Sequence, residues 1–161
     1  AELSDKGIRL GVIGQIHRLP DDVRGALENA MAHTEKNRKM RLNLALSYGG
    51  REEITRAVQT IAKKVQAGKL AWEKISEEMI ARHLYTAKQP DPDMIIRTSG
   101  EMRLSNFLLW QAGYAEIFFT ETLWPDFTDD EFANMVNAYQ QRDRRFGKIP
   151  CSSKDGSPQS F

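Results

Sequence analysis

MRLNLALSYGGREEI, residues 40–54, decides the fold class. Its first eight residues alternate strictly, with Met40, Leu42, Leu44 and Leu46 on one face and Arg41, Asn43, Ala45 and Ser47 on the other. That is the period of a half-buried strand. Beyond Gly49 and Gly50 the spacing turns helical, Ile54, Val58, Ile61, Ala62 and Val65 forming one stripe that stops near Gly68. Working outward, Ile8, Leu10 and Val12 alternate like a strand, and Val23, Ala26, Leu27, Ala30 and Met31 recur at helical spacing. Met94 to Ile96 and Ile117 to Phe119 are short apolar runs bounded by polar or turn residues. Four strands alternating with helices predict an α/β fold, a central parallel sheet flanked by helices.

The two ends read differently. Phe127-Thr128-Asp129-Asp130-Glu131-Phe132 has the form of a capping box, with Thr128 at the cap, Glu131 reaching back and Phe127 stapled onto Phe132. The helix it opens should run through Tyr139 towards Phe146 and Gly147, after which residues 148–161, small and polar, have the composition of a disordered tail. At the front, AELSDKG resembles the end of a helix stopped by Gly7, with no matching start before it. Four strands with so abrupt an opening would leave a sheet edge waiting for partners. An N-terminal portion is therefore expected to be missing from this chain.

At 161 residues the chain is the size of one ordinary domain or part of one. Lys and Arg number 23 against 22 Asp and Glu, a balance with none of the general attraction to polyanions that a nucleic-acid binder shows. Any anion binding has to be local. A single cysteine, Cys151, excludes an intrachain disulfide and fits a reducing compartment such as the cytoplasm. No run approaches the ~20 apolar residues of a membrane span.

Two strand ends lead through short polar turns into the residues that follow, LNLALSYGGREEI and MIIRTSGEMRLSNFLLW. In open parallel sheets ligands gather at the carboxyl ends of strands. In the second turn Arg97 and Arg103 flank Thr-Ser-Gly, and Ser105 stands as the N-cap of an expected helix from Phe107 to Trp110. Helix amides and two guanidinium forks together suit a phosphate or diphosphate. The alternative is plain structure: Ser105 only capping, and the arginines pairing with Asp91, Asp93 or Glu101. Gly49 and Gly50 are open to the same two readings, a phosphate loop or a simple turn. Glu116 is a metal ligand or an edge-strand charge. His17, His33 and His83 show no ligand spacing and take no catalytic role, and Met79 reads as core filling.

LNLALSYGGREEI, DPDMIIRTSGEMRLSNFLLWQAGYAEIFFTETLWPDF and RRFG, in this order, resemble the C-terminal blocks of the cis-prenyltransferases, the undecaprenyl diphosphate synthase type. The resemblance runs from Gly7 to Gly147. It implies one catalytic domain, of which residues 1–147 are the C-terminal part. The implied reaction condenses isopentenyl diphosphate onto an allylic diphosphate of the farnesyl type to give a Z-polyprenyl diphosphate such as undecaprenyl diphosphate. By the same resemblance Arg97, Arg103 and Ser105 bind the diphosphate of isopentenyl diphosphate, and Glu116 helps to hold Mg²⁺. Arg145 and Gly147, in the Arg-x-Gly ending, reach the partner subunit's site in a homodimer. Peripheral contact with a membrane, for release of the lipid product, is left open.

The chain lacks the DDxxD carboxylates of trans-prenyltransferases. It departs from its own family's pattern in two respects. Met102 stands where some bacterial members carry a histidine that joins the metal shell, and a thioether there leaves that coordination to water or to other groups. The family's DGNGR-like loop with the catalytic aspartate, and the allylic site with it, is absent from these residues. An accessory subunit, or an inactive fragment of such an enzyme, is the alternative for this chain. Retention of Arg97, Arg103, Ser105 and Glu116 speaks against the accessory subunit. The face of Met40, Leu42, Leu44 and Leu46 either lines the cavity for the growing product or packs on a helix.

Overall fold

The computed structural model describes residues 2–142. They form two compact units, one from the start of the chain to Asp93 together with Met102–Ala115, the other from Met94–Glu101 together with the chain from Glu116 onward. The expected tail, Cys151 and the Arg145 to Gly147 ending lie outside the described residues.

In the first unit, α1 (Glu2–Asp5) is a single turn that stops at Gly7, left-handed at φ +71° as a helix-ending glycine should be. Strand β1 (Ile8–Ile13) pairs in parallel with β2 (Met40–Ala45), Ile8 opposite Met40 and Ile13 opposite Ala45. The crossover between them is α2 (Asp21–His33), the helix read from residues 23–31. Its C-terminal side blocks part of the β1 backbone: the Thr34 hydroxyl accepts from the Leu10 amide at 3.0 Å, and the Asn37 side-chain amide donates to the Ile8 carbonyl at 2.8 Å. Leu10 and Ile13 are buried on this strand. Strand β2 forms where the alternation places it, yet its apolar face is open within the described residues, Met40 being 58 % exposed and Leu44 36 %. Alternation fixes which side chains share a face, whereas burial needs a neighbour to cover it.

Helix α3 (Gly50–Gln66) stops before Gly68, φ +65°, as expected, but its buried face runs through Glu53, Ala57 and Ile61; of the expected stripe only Ile61 is buried, while Val58 and Ala62 are exposed. The short α4 (Glu77–Ala81) was not legible from spacing, since five residues are too few to show a period; its signal is Ser76, whose hydroxyl accepts from the Met79 amide at 3.2 Å. Just after it, His83 joins the Met79 carbonyl through Nδ1 and Lys64 of α3 through Nε2. That is a structural clasp between α3 and the residues just after α4.

The second unit holds β3 (Met94–Arg97) and β4 (Glu116–Phe119), again parallel, with Ile95 buried between the half-buried Met94 and Ile96. All four expected strands are present, as two parallel pairs. Helix α5 (Asp129–Gln140) starts at Thr128, whose hydroxyl accepts from the Glu131 amide at 3.2 Å. It spans the expected stretch through Tyr139 and ends at Gln140; the rest of the expected run, towards Phe146 and Gly147, lies outside the described residues. Beyond the cap residue Gln141, the Arg142 guanidinium turns to Glu116. Phe127 stacks on Trp124, centroids 6.3 Å apart, instead of serving as a staple for Phe132, which is exposed.

One expectation fails outright. Residues 107–110 are not a helix, and Ser105 is not an N-cap: Ser105, Asn106 and Leu108 all have positive φ, at +47°, +65° and +46°. Left-handed residues cannot enter a right-handed helix. Only a short 3₁₀ turn, Gln111–Tyr114, follows.

Candidate functional site

The left-handed segment has a definite task in the first unit. Asn106 lies across the start of α3, its backbone carbonyl accepting from the Gly50 amide at 2.7 Å and its side-chain oxygen from the Arg51 amide at 2.9 Å. Helix amides that could have met a phosphate are thereby satisfied from within the protein. Gly50 eases this approach: a Cβ there would lie 3.0 Å from Leu109 Cγ and 3.1 Å from the Leu109 nitrogen, so the loop would have to draw back slightly. At Gly49 it would lie 2.8 Å from the Asn106 side-chain nitrogen. The Gly-Gly pair is thus neither a phosphate loop nor a simple turn; it admits a second stretch of backbone.

Behind that contact sits Glu53, fully buried. Its carboxylate accepts from the Tyr48 hydroxyl at 2.6 Å, the Gln111 side-chain amide at 3.1 Å and the Tyr85 backbone amide at 2.5 Å. Gln111 also donates to the Thr86 hydroxyl at 2.9 Å. Burial, and after it the hydrogen bond to Glu53 and the negative charge of that carboxylate, push the Tyr48 phenol well above the usual tyrosine range. Burial also raises Tyr85, with the charge of Glu52 adding to it and the Arg56 guanidinium, 4.1 Å from the ring centroid, opposing it. Sequence reasoning missed Glu53 because an acidic residue in a first helical turn looks like a dipole partner. Nothing local marks it as buried.

Beside this network, at the carboxyl ends of β1 and β2, is a cavity of about 210 Å³ lined by Ile13, Ala45, Phe107, Leu108 and Gln111 among others. Phe107 meets Tyr48 edge-on at 5.8 Å between centroids. Arg103 and Ser105 belong to this unit and are exposed, and Met102 is 75 % exposed.

Arg97 belongs to the second unit. It is the last residue of β3, half-buried, at the carboxyl end where parallel strands present ligands. The turn after it is tied down: the Ser99 amide donates to the Thr122 carbonyl at 2.9 Å and the Gly100 amide to the Thr120 carbonyl at 2.8 Å. Glu116 opens β4 opposite Met94, three register steps from Arg97, or ~10 Å along the ladder. The structure therefore places these two at opposite ends of their strand pair. Glu116 is bound to the Arg142 guanidinium, which also lies 4.6 Å over the Phe118 ring. Among the described residues no cluster of three His, Cys, Asp or Glu side chains is arranged for a metal ion. Glu116 offers a single carboxylate, and an Mg²⁺ ion bound to it would take its remaining oxygen ligands from elsewhere.

Residues 1–147 match the family model described as "Putative undecaprenyl diphosphate synthase". Proteins named isoprenyl transferase are 51 % identical over 148 residues in Geobacillus kaustophilus and 49 % over 152 in Streptococcus thermophilus, covering 92 % of this chain in each case. The chain spans 58 % and 61 % of those relatives' lengths. Lavandulyl diphosphate synthase from Lavandula x intermedia, solved in complex with dimethylallyl diphosphate, superposes with a TM-score of 0.88 at 38 % identity. The match covers 91 % of this chain and 63 % of that one. A "probable undecaprenyl diphosphate synthase" from Campylobacter jejuni gives 0.78 at 39 %, covering 91 % and 66 %. Parallel strands alternating with helices, a family match over nearly the whole chain and these likenesses agree: the chain belongs to the undecaprenyl diphosphate synthase family of cis-prenyltransferases.

Proposed function

We propose that this chain carries the isopentenyl diphosphate site of a cis-prenyltransferase, and that the full-length protein joins that five-carbon unit to an allylic diphosphate. The observation that carries the reading is Arg97, a guanidinium at the carboxyl end of a parallel strand, followed by a turn whose two left-handed residues are held by backbone hydrogen bonds. A guanidinium carried on a well-anchored strand end suits a diphosphate. The same role for Arg103 and Ser105, which belong to the first unit, rests on the family resemblance alone.

In the reaction the double bond of isopentenyl diphosphate attacks C1 of the allylic substrate. The allylic C–O bond breaks, diphosphate leaves with the bonding electrons, and loss of a proton creates the new Z double bond. The part of Arg97, Arg103 and Ser105 is to hold the nucleophile's own diphosphate, which does not react, so that its double bond meets the allylic carbon in line. Orientation through a remote charged group lowers the barrier because the entropy of alignment is lost on binding.

The test is calorimetry on the full-length protein. Arg97→Ala should weaken isopentenyl diphosphate about tenfold or more, since a hydrogen bond to a charged group contributes about 1.5–3 kcal/mol. Unaltered affinity would remove Arg97 from the site.

A further inference from the structure

Thr128 and Glu131 complete only half of their capping box. The Thr128 hydroxyl accepts from the Glu131 amide, but the Glu131 carboxylate does not turn back to the cap. Its Oε1 accepts from the Thr120 hydroxyl at 2.5 Å and the Thr122 hydroxyl at 3.0 Å. The Thr120 hydroxyl also lies 3.1 Å from the Thr122 hydroxyl oxygen, and with one proton to give its shorter contact is the one to Glu131. Thr120 Oγ1 in turn accepts from the Thr122 amide at 3.2 Å, which closes the group into a small, rigid knot.

These two threonines are the ones that hold the turn after β3. The Thr120 amide donates to the Arg97 carbonyl at 3.0 Å, and the Thr120 and Thr122 carbonyls take the Gly100 and Ser99 amides. Ser99 and Gly100 sit at φ +71° and +68°. A serine keeps such a conformation only where its surroundings determine it. The surroundings here are the Thr120–Thr122 backbone, and what immobilises that backbone from α5 is one carboxylate.

We propose that Glu131 is a positioning residue for isopentenyl diphosphate binding: through Thr120 and Thr122 it fixes the turn that begins at Arg97, and so the direction of the Arg97 guanidinium. This rests on the reading of Arg97 given above. Glu131 touches no reacting atom; its effect on the substrate passes through backbone.

The experiment compares Glu131→Ala, Glu131→Gln, Thr122→Val and Arg97→Ala in the full-length protein, by steady-state kinetics with both substrates and by hydrogen exchange at the Ser99 and Gly100 amides. Glu131→Ala should raise KM for isopentenyl diphosphate about tenfold, the scale of a misplaced binding group, leave KM for the allylic substrate unchanged, and speed exchange at both amides. Glu131→Gln keeps an oxygen for the two hydroxyls and should stay within about twofold of the parent. Thr122→Val removes one of the two donors at little change in shape, and an intermediate rise in KM there supports the coupling even if Glu131→Ala fails to fold. Equal rises in both KM values would mark a merely structural role and overturn the proposal. So would unchanged exchange at Ser99 and Gly100, or a normal KM in Glu131→Ala while Arg97→Ala raises it. A normal KM in Arg97→Ala would instead overturn the reading of Arg97, a distinguishable result.

Discussion

Glu53 takes a carboxylate into the interior of the first unit and meets three donors there, from Tyr48, Gln111 and the Tyr85 backbone. A buried charge so satisfied is tolerated; stripped of a partner it is costly. The pH dependence follows from Tyr48. Its phenol is raised in the folded protein by burial and by Glu53, whereas an unfolded tyrosine titrates at ~10. As pH rises past that value the unfolded chain loses its proton first, so the unfolded state binds fewer protons and stability falls with pH. The stabilisation is complete below about pH 10 and declines above it, with Tyr85, also raised, adding in the same direction. Tyr48→Phe should make the urea midpoint less sensitive to pH between about pH 9 and about pH 11. It should also cost about 2 kcal/mol near neutrality by taking a donor from the carboxylate. An equally steep alkaline decline in the variant would mean that Tyr48 is not the group responsible.

At the scale of elements, the start of α3 and the loop 105–110 form one object. Asn106 caps a helix that lies more than fifty residues earlier in the chain, and it does so from a left-handed conformation, φ +65°. Two substitutions separate these features. Asn106→Gly keeps the backbone permissive and loses the side-chain acceptor, at an expected cost of about 1 kcal/mol, the usual worth of a cap. Asn106→Ala loses the acceptor and adds the left-handed penalty of roughly 1–2 kcal/mol, so it should be clearly the less stable of the two. Urea denaturation of both variants decides: a neutral Asn106→Gly would show that the cap contributes nothing. The same object shows what could be read beforehand. Helix α3, its stop at Gly68 and the Thr128 cap of α5 were legible because their signals are local: period, glycine, side-chain oxygen. The loop was misread as a helix because Phe107 to Trp110 is apolar and follows a serine. Its left-handed backbone answers to Gly49 and Gly50, whose missing Cβ atoms matter only once the two stretches meet in space. Glu131 was misassigned for a similar reason, its partners Thr120 and Thr122 carrying no pattern that points to it.

For the whole molecule, 23 basic against 22 acidic side chains leave no general field to gather an anion. The polar half of the proposed chemistry therefore depends on fixed local donors, Arg97 foremost. The other half is apolar, since a growing polyprenyl chain has to be kept from water at about 0.8 kcal/mol per methylene. Leu44 and Met40 of β2 are apolar and uncovered among the described residues. Met40 lies five strand steps from Ala45, ~16 Å from the carboxyl end of the β1–β2 ladder where ligands of parallel sheets collect. If this face is part of the product's wall, a change at Met40 acts on the far tail of a long product and leaves the reacting end alone. Met40→Ala in the full-length protein should then lengthen the product or broaden its distribution, with the rate of the first condensation unchanged. If the face only packs against another element, truncation loses buried area instead, and the variant melts earlier while making the parent's products. Chromatography of the dephosphorylated polyprenols, read beside a thermal melt of the same preparation, tells the two apart: an unaltered length profile with a lowered midpoint rejects the wall.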